Sequence, residues 1–366
     1  MAGFTLNAAL VCLLAAGSEI RDDETVVFFP TFARYDAEED AWWLPVHGVV
    51  FERELDSLRR NVLIAGVRRV LEVEPDTAEA ALLDLRLRLF LVDNESGKTV
   101  SVRLGGKVYQ VGTSASNGHF SGRLRLGAAE AARLSNRPRP DGAWLEFAAE
   151  LPADDSRRFV GRVQLIGPRG LSVVSDIDDT VKHTQVLDTA AMLRNTFVRE
   201  FQAVPGMARI YAKAAGRGAV FHYVSASPWQ LAEPLTEFLG RDGFPQGSLH
   251  LRYFRLKDPS GLKVLLGSSQ EYKGRAIGAV LAAFPERRFI LVGDSGEHDP
   301  EVYGRLARRY PEQVAAVAIR NVTDAKLDDE RFRKALAGVE NRVLFRQAEE
   351  LEPVFEELIE KHAAPR

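Results

Sequence analysis

Apolar and polar positions follow two rhythms along this chain, and the change between them falls near Gly170. From Glu24 to about Ile166 the apolar residues come in short alternating runs, as in Lys98–Leu104, His119–Leu126 and Phe159–Leu165. Period-two alternation buries one side of a strand and wets the other, and the Asn-Gly, Gly-Gly and Asp-Gly pairs between runs supply turns. The pattern predicts a mainly antiparallel β domain over residues 18–168, including a strand from Trp42 and Trp43 to Val50. Packing on the sheet accounts for either tryptophan more simply than ligand stacking. One stretch departs from the rhythm: Leu58, Val62, Leu63, Val67, Val70 and Leu71 share a helical face, so a helix is expected over Leu55–Leu71. Arg137–Gly142, rich in proline and arginine, reads as a solvated loop.

From Leu171 onward the apolar runs become continuous. Leu171–Val174, Gly218–Val224, Phe289–Val292 and Val314–Ile319 read as strands buried on both faces, with helices expected at Ala208–Ala215, Lys273–Phe284 and Val302–Tyr310. Alternation of this kind predicts an α/β domain over residues 169–366, built on a doubly wound parallel sheet with right-handed crossovers. Pro168-Arg169-Gly170 reads as a hinge between the two parts. The tail after Asp324 reads as helical and charged. It ends in Glu349–His362, whose Leu351, Val354, Phe355, Leu358 and Ile359 are expected to face the sheet, with membrane contact as the alternative.

Composition narrows the partners. With 366 residues, two domains are the default, and a net charge of -3 with a pI near 6.2 gives no global basic field, so no nucleic-acid partner is expected. Cys12 is the single cysteine, which excludes an intrachain disulfide and a cysteine-based zinc site. It lies in an apolar leader whose core, Ala8–Ala16, is too short to cross a bilayer. Small residues follow at Ala15–Ser18, and charges at Glu19, Arg21, Asp22 and Asp23 end the run. Although a basic start is missing, residues 1–17 read as a signal peptide, and an exported, periplasmic or extracellular protein is expected. The alternative is a cytoplasmic or peripheral membrane protein.

Candidate chemistry sits at the strand ends. The run Leu171–Ser175 stops at Asp176, Asp178, Asp179 and Thr180, and open α/β sheets keep their sites at the carboxyl ends of parallel strands. If strand geometry persists, Asp176 and Asp178 project to one side. A polar turn would need one aspartate rather than three. The next strand runs into Ser225-Ala226-Ser227-Pro228, whose hydroxyls and amides could hold a phosphate. Lys273 lies near a helix start, opposed to the helix dipole, and a nearby anion would resolve that; taken alone it reads as a solvated lysine. Arg287 and Arg288 read as a solvated strand entrance. Gly293 and Gly296 permit a turn that brings Asp294 and Asp299 over the strand end, and such hard oxygen ligands suit magnesium. An acidic surface loop is the plain alternative, and His298 reads as a polar loop residue.

A nucleophile, an acid–base carboxylate, hydroxyl donors, a lysine and acidic metal ligands are what phosphoryl transfer requires. Their order resembles the haloacid dehalogenase superfamily. Within it, Val174–Thr184, Tyr223–Leu231 and Gly293–Glu301 resemble the actin-patch-type phosphatidate phosphatase family, as do Phe28-Phe29-Pro30 and His47–Glu52 nearer the start. The resemblance implies a Rossmann-like, haloacid-dehalogenase-like fold. It makes Asp176 the nucleophile and Asp178 an acid–base group protonated at the outset. Magnesium would be held by Asp176, the backbone carbonyl of Asp178 and Asp294, with Asp299 in support. Thr180 and Ser225 would position phosphoryl oxygens, and Lys273 would neutralise charge. Selection is expected from the inserts Val181–Pro205 and Leu231–Glu271. Phe197, Phe201, Trp229, Phe238, Phe244, Tyr253 and Phe254 lie in or beside them, most explained by internal packing. The implied reaction is magnesium-dependent hydrolysis of phosphatidate, with peripheral membrane contact. The alternatives are a phosphatase of a soluble phosphomonoester, and a non-catalytic lipid-binding or envelope interaction protein; the completeness of the acidic set counts against the last.

Overall fold

The computed structural model describes residues 18–53, 58–135, 143–253 and 270–362. The expected signal peptide with Cys12, the loop Arg137–Gly142, the first residues of the Leu55–Leu71 helix and Phe254 lie outside the described residues, as does part of the Leu231–Glu271 insert.

The first part of the chain is mainly β. Its strands are β1 (Glu24–Phe28), β2 (Thr31–Asp36), β3 (Ala41–Glu52), β4 (Asp93–Asn94), β5 (Thr99–Leu104), β6 (Lys107–Thr113), β7 (His119–Gly127), β8 (Ala143–Ala149) and β9 (Val160–Ile166). They form one sheet ordered β1-β3-β2-β9-β8-β5-β6, with β4 and β7 also paired to β3. All pairings are antiparallel except β2 with β9, which run parallel. The alternation in the sequence explains the packing. In β7, Phe120, Leu124 and Leu126 are buried whereas Ser121, Arg123 and Arg125 are exposed.

Helices α1 (Leu58–Val70) and α2 (Ala78–Arg88) interrupt the sheet, and α3 (Ala128–Leu134) follows β7. The pattern did not announce α2. It carries a buried cation, Arg86, whose Nη1 donates to the carbonyls of Thr196 and Arg199 at 2.8 and 2.6 Å. Its guanidinium also lies 4.0 Å from the centroid of the Phe201 ring. These bonds fasten α2 to the later part of the chain.

That later part is an α/β layer. Strands β10 (Leu171–Ser175), β11 (Val220–Pro228), β12 (Gly247–Arg252), β13 (Arg288–Asp294), β14 (Val314–Arg320) and β15 (Arg342–Phe345) pair in the order β12-β11-β10-β13-β14-β15. Every pairing is parallel. Helices α4 (Thr189–Phe197), α5 (Met207–Gly216), α6 (Ala232–Arg241), α7 (Gln270–Ala283), α8 (Asp299–Arg309), α9 (Glu330–Ala335) and α10 (Glu352–His362) connect or cover them. The strand order reverses between β10 and β13, so chain connections depart in opposite directions there and leave a crevice at the carboxyl ends. One face of the sheet shares a core with Phe29, Phe51 and the α1–α2 pair; the other packs on α7, α8 and α9. No helix among the described residues is long and apolar enough to cross a membrane.

Three expectations need correction. The tail after Asp324 is not all helical, because Arg342–Phe345 adds an edge strand to β14. Arg287 is not solvated; it is buried and donates from Nε to Ser172 Oγ at 2.8 Å, and from its Nη atoms to the carbonyls of Gly167, Arg169 and Leu171. Those carbonyls flank Pro168-Arg169-Gly170, so the segment read as a hinge is held by a guanidinium.

Candidate active site

Strand β10 delivers Asp176 into the crevice and then stops. The Asp176 amide donates to the Val292 carbonyl at 2.8 Å, which carries the ladder one residue past β10. Asp179 then takes a left-handed backbone, φ 55°, and its carboxylate accepts from the amides of Thr184, Gln185 and Val186 at 2.7–2.8 Å. Asparagine and aspartate tolerate that conformation better than most residues. Asp179 is therefore the turn aspartate, and strand geometry does not persist to Asp178. The two carboxylates expected to act side by side consequently face different sets of partners.

Asp176 lies among charges. Lys273, in the first turn of α7, places Nζ 2.8 Å from Asp176 Oδ1, 2.7 Å from Glu297 Oε2 and 2.7 Å from Asp299 Oδ1. The solvated-lysine reading fails, and the anion that offsets the helix dipole is a set of three carboxylates. Thr180 Oγ1 donates to Asp176 Oδ2 at 3.2 Å. Asp294 closes β13; its Oδ1 accepts from the amides of Gly296 and Glu297 at 2.6 and 3.1 Å, and its own amide donates to Asp299 Oδ2 at 3.2 Å. Gly293 is required here, since a Cβ would lie 2.3 Å from Asp299 Oδ2.

One oxygen from each of Asp176, Asp294 and Asp299, all buried, lies within 4.8 Å of the others. Burial pushes the Asp176 carboxyl well above the usual range; Lys273 opposes this, while Asp299, Glu297 and Asp294 add to it. Asp294 is raised by burial and by Asp299, and Asp299 by burial against the pull of Lys273. Burial disfavours the charge on Lys273, but Asp176, Asp299 and Glu297 outweigh it and hold the ammonium protonated. Asp294 Oδ2 is buried with no hydrogen-bond partner, and Asp176 Oδ1 has only the ion pair with Lys273, outside hydrogen-bond geometry. Three carboxylates on one ammonium with Asp294 beside them, and oxygens left unpaired, form a donor set that fits a hard divalent cation. The Asp178 carboxylate lies outside that group, so any share it takes in holding a cation is through its backbone.

Asp178 has a different neighbourhood. Ser225 Oγ and Ser227 Oγ donate to its Oδ2 at 2.9 and 2.8 Å, and Lys182 Nζ and Thr184 Oγ1 reach its Oδ1 at 2.8 and 2.9 Å. Burial alone would raise its pKa, but Lys182 and the two serines prevail and hold it below the ordinary value. The protein's own groups therefore favour the ionised form of Asp178, whereas the expected protonated form includes the negative charge of a bound substrate. Lys182 is itself buried, beneath the Phe201 ring. Lys182, Thr184 and Glu297 also touch site residues, although strand-end reasoning had not assigned them, and Ser227, read with Ser225 as a phosphate donor, donates to Asp178. Their signal was contiguity: each lies within six residues of an aspartate or serine already singled out. His298 is half exposed and its Nδ1 lies 4.0 Å from Glu301 Oε2, as suits a polar loop residue.

Residues 171–321 match the family described as phosphatidate phosphatase APP1, catalytic domain. The match encloses every residue of both clusters. It is accompanied by 36% identity over 167 residues to phosphatidate phosphatase APP1 of Saccharomyces cerevisiae, covering 44% of this chain and 28% of that protein. An uncharacterized protein of Schizosaccharomyces pombe is 29% identical over 170 residues, 45% of this chain and 27% of its own length. Residues 171–321 are thus similar to an APP1-type phosphatidate phosphatase catalytic domain, and the chain spans under a third of the length of either relative.

Proposed function

We propose that the chain is a magnesium-dependent phosphoric monoester hydrolase, converting phosphatidate to diacylglycerol and phosphate through an aspartyl-phosphate on a haloacid-dehalogenase-like domain. What carries this reading is the meeting of Asp176, Lys273, Asp294 and Asp299 at the ends of two adjacent parallel strands, inside the stretch that matches the APP1 catalytic domain. In the proposed first step Asp176 attacks phosphorus, a P–O bond forms and the bond to the glycerol oxygen breaks. Asp178 gives that oxygen a proton. It takes up this proton as the phosphate dianion approaches and raises its pKa. In the second step Asp178, now ionised, accepts a proton from the water that hydrolyses the aspartyl-phosphate; Lys182, Ser225 and Ser227 favour this form. Thr180 and Ser225 would orient phosphoryl oxygens, and Lys273 would offset charge shared by nucleophile and transferred group. Asp176, Asp294 and Asp299 would hold the magnesium, whose charge lets two anions meet.

The test is phosphate release from phosphatidate in mixed micelles, with and without magnesium, beside a panel of soluble phosphomonoesters and an Asp176→Asn control. Magnesium-dependent release from phosphatidate, absent in the control, is expected. Release from soluble esters alone would keep the chemistry and change the substrate. Liposome binding without release from any ester would favour a non-catalytic lipid-binding role. Residues 1–17 are proposed to direct export, which fractionation of the expressed chain would check.

A further inference from the structure

Asp178 and Glu297 belong to different clusters, each bonded to its own lysine, yet both line one solvent-open pocket of about 450 Å³. Thr184 and Ser227, which bond Asp178, line it too. The rest of the wall is mostly hydrocarbon, from Met192, Leu193 and Phe197 of α4 and from Val186 and Pro228, with Thr196 adding a hydroxyl. Helix α4 is tied to the loop that carries Thr184, since Asn195 Nδ2 donates to the Thr184 carbonyl at 3.0 Å. The apolar wall and the carboxylate of Asp178 are therefore parts of one unit.

The charge of this lining is one-sided. Asp178 and Glu297 expose 14% and 27% of their side chains, whereas the lysines that pair with them, Lys182 and Lys273, expose 2% and 1%. Neither lysine lines the pocket, and among the described residues no arginine or histidine does so either. A group that enters meets carboxylate oxygens, hydroxyls and hydrocarbon, and no ammonium or guanidinium. An anion there would give up water without gaining a counter-charge, and would lie beside two like charges. Asp178 is also the group proposed to protonate the departing oxygen. A general acid works within about 3 Å of the atom it protonates, so the leaving alcohol has to come against Asp178, in this pocket.

We propose that the pocket holds the leaving alcohol and selects alcohols that carry no anionic group, so that the phosphate removed is the substrate's only anion. The inference rests on the phosphatase reading and narrows its substrates. Phosphatidate meets the condition; diphosphates, bisphosphorylated sugars and phosphorylated carboxylic acids do not. The hydrocarbon of α4 suits an apolar alcohol beside the ester oxygen.

The experiment compares phenyl phosphate with para-carboxyphenyl phosphate, which differ by one charge remote from the ester. The wild-type protein is expected to prefer the phenyl ester about ten-fold in kcat/KM at low salt. Thr196→Lys, with Met192→Lys as a second position, puts an ammonium on the α4 wall, and thermal melting verifies that each folds. Either variant should bring the preference under about three-fold. A wild-type preference already below about three-fold, or one that a folded variant leaves unchanged, would overturn the proposal. Neither ester contains a lipid, so failure on phosphatidate would leave this comparison standing. If the wild-type protein cleaves no ester, the phosphatase reading falls by itself. The pocket is then judged by calorimetry with benzylphosphonate and para-carboxybenzylphosphonate in magnesium: tighter binding of the first, evened out by Thr196→Lys, supports the selection, and equal binding or none overturns it.

Discussion

Asp176 and Asp178 are two residues apart, the first fully buried and the second partly so, and held in opposite states. Asp176 shares one ammonium with Asp299 and Glu297 and lies beside Asp294, so its proton is hard to remove without another cation. Asp178 has Lys182 beside it and hydroxyl donors from three residues, so its proton leaves early. Identity and spacing do not set a carboxylate's role; the elements folded against it do. Here two carboxylates of opposite character come from one strand end by the turn of the chain at Asp179.

The sharpest way to break this contrast is to neutralise each member in turn. Asp176→Asn should reduce phosphate release by at least about a thousand-fold, because the attacking atom is lost, while far-UV circular dichroism stays unchanged. A variant within ten-fold of wild type would place the nucleophile elsewhere.

Chelation addresses the acidic half. Carboxyls whose pKa is raised on folding bind more protons folded than unfolded, so stability falls as pH rises from about 4 through their folded values. With EDTA the melting temperature should fall between pH 5 and 8, and magnesium should suppress that fall. A flat profile in EDTA would mean that Lys273 alone compensates the cluster.

Lys182→Met addresses the other half and should cost about 3 kcal/mol, since it leaves a buried carboxylate without its cation. In the wild type, the lowered pKa of Asp178 contributes stability that is present above about pH 4 and lost as pH falls through the folded value. In the variant the remaining burial raises that pKa, so the contribution changes sign and melting at pH 5 should exceed melting at pH 8, in magnesium. The smallest effect is expected from Ser227→Ala: about 1 kcal/mol of stability and a few-fold change in kcat, since Ser225, Thr184 and Lys182 still hold Asp178. Measured kcat against pH would show whether the serine also tunes the proton.

How far the sequence was legible follows from these neighbourhoods. Strands β10, β11, β13 and β14 were readable because burial on both faces demands unbroken apolar runs, and Asp176, Ser225 and Asp294 were readable because such runs end at them. Strand β12, Gly-Ser-Leu-His-Leu-Arg, has only two buried residues, and β15 is four residues in a charged tail, so neither carries a strong period. Helix α2 was hidden by leucines and arginines around its whole circumference, including the buried Arg86. Lys182 and Glu297 were quoted within motifs without a role, because only the return of the loop at Asp179 and the packing of α7 bring them to their aspartates. Arg287 was misread because a cation at a strand entrance is normally wet, and nothing local foretold three carbonyls turned toward it.

That guanidinium has a practical consequence. By gathering the carbonyls of Gly167, Arg169 and Leu171 and the hydroxyl of Ser172, Arg287 splints the only covalent passage from β9 to β10. Junctions between folding units are ordinarily where proteases nick and where engineers insert tags or cut a chain in two. In this molecule every second carbonyl from Gly167 to Leu171, and then the Ser172 hydroxyl, is bonded to a residue far along the sequence. A cut there would sever the strand that leads into Asp176 from the first sheet.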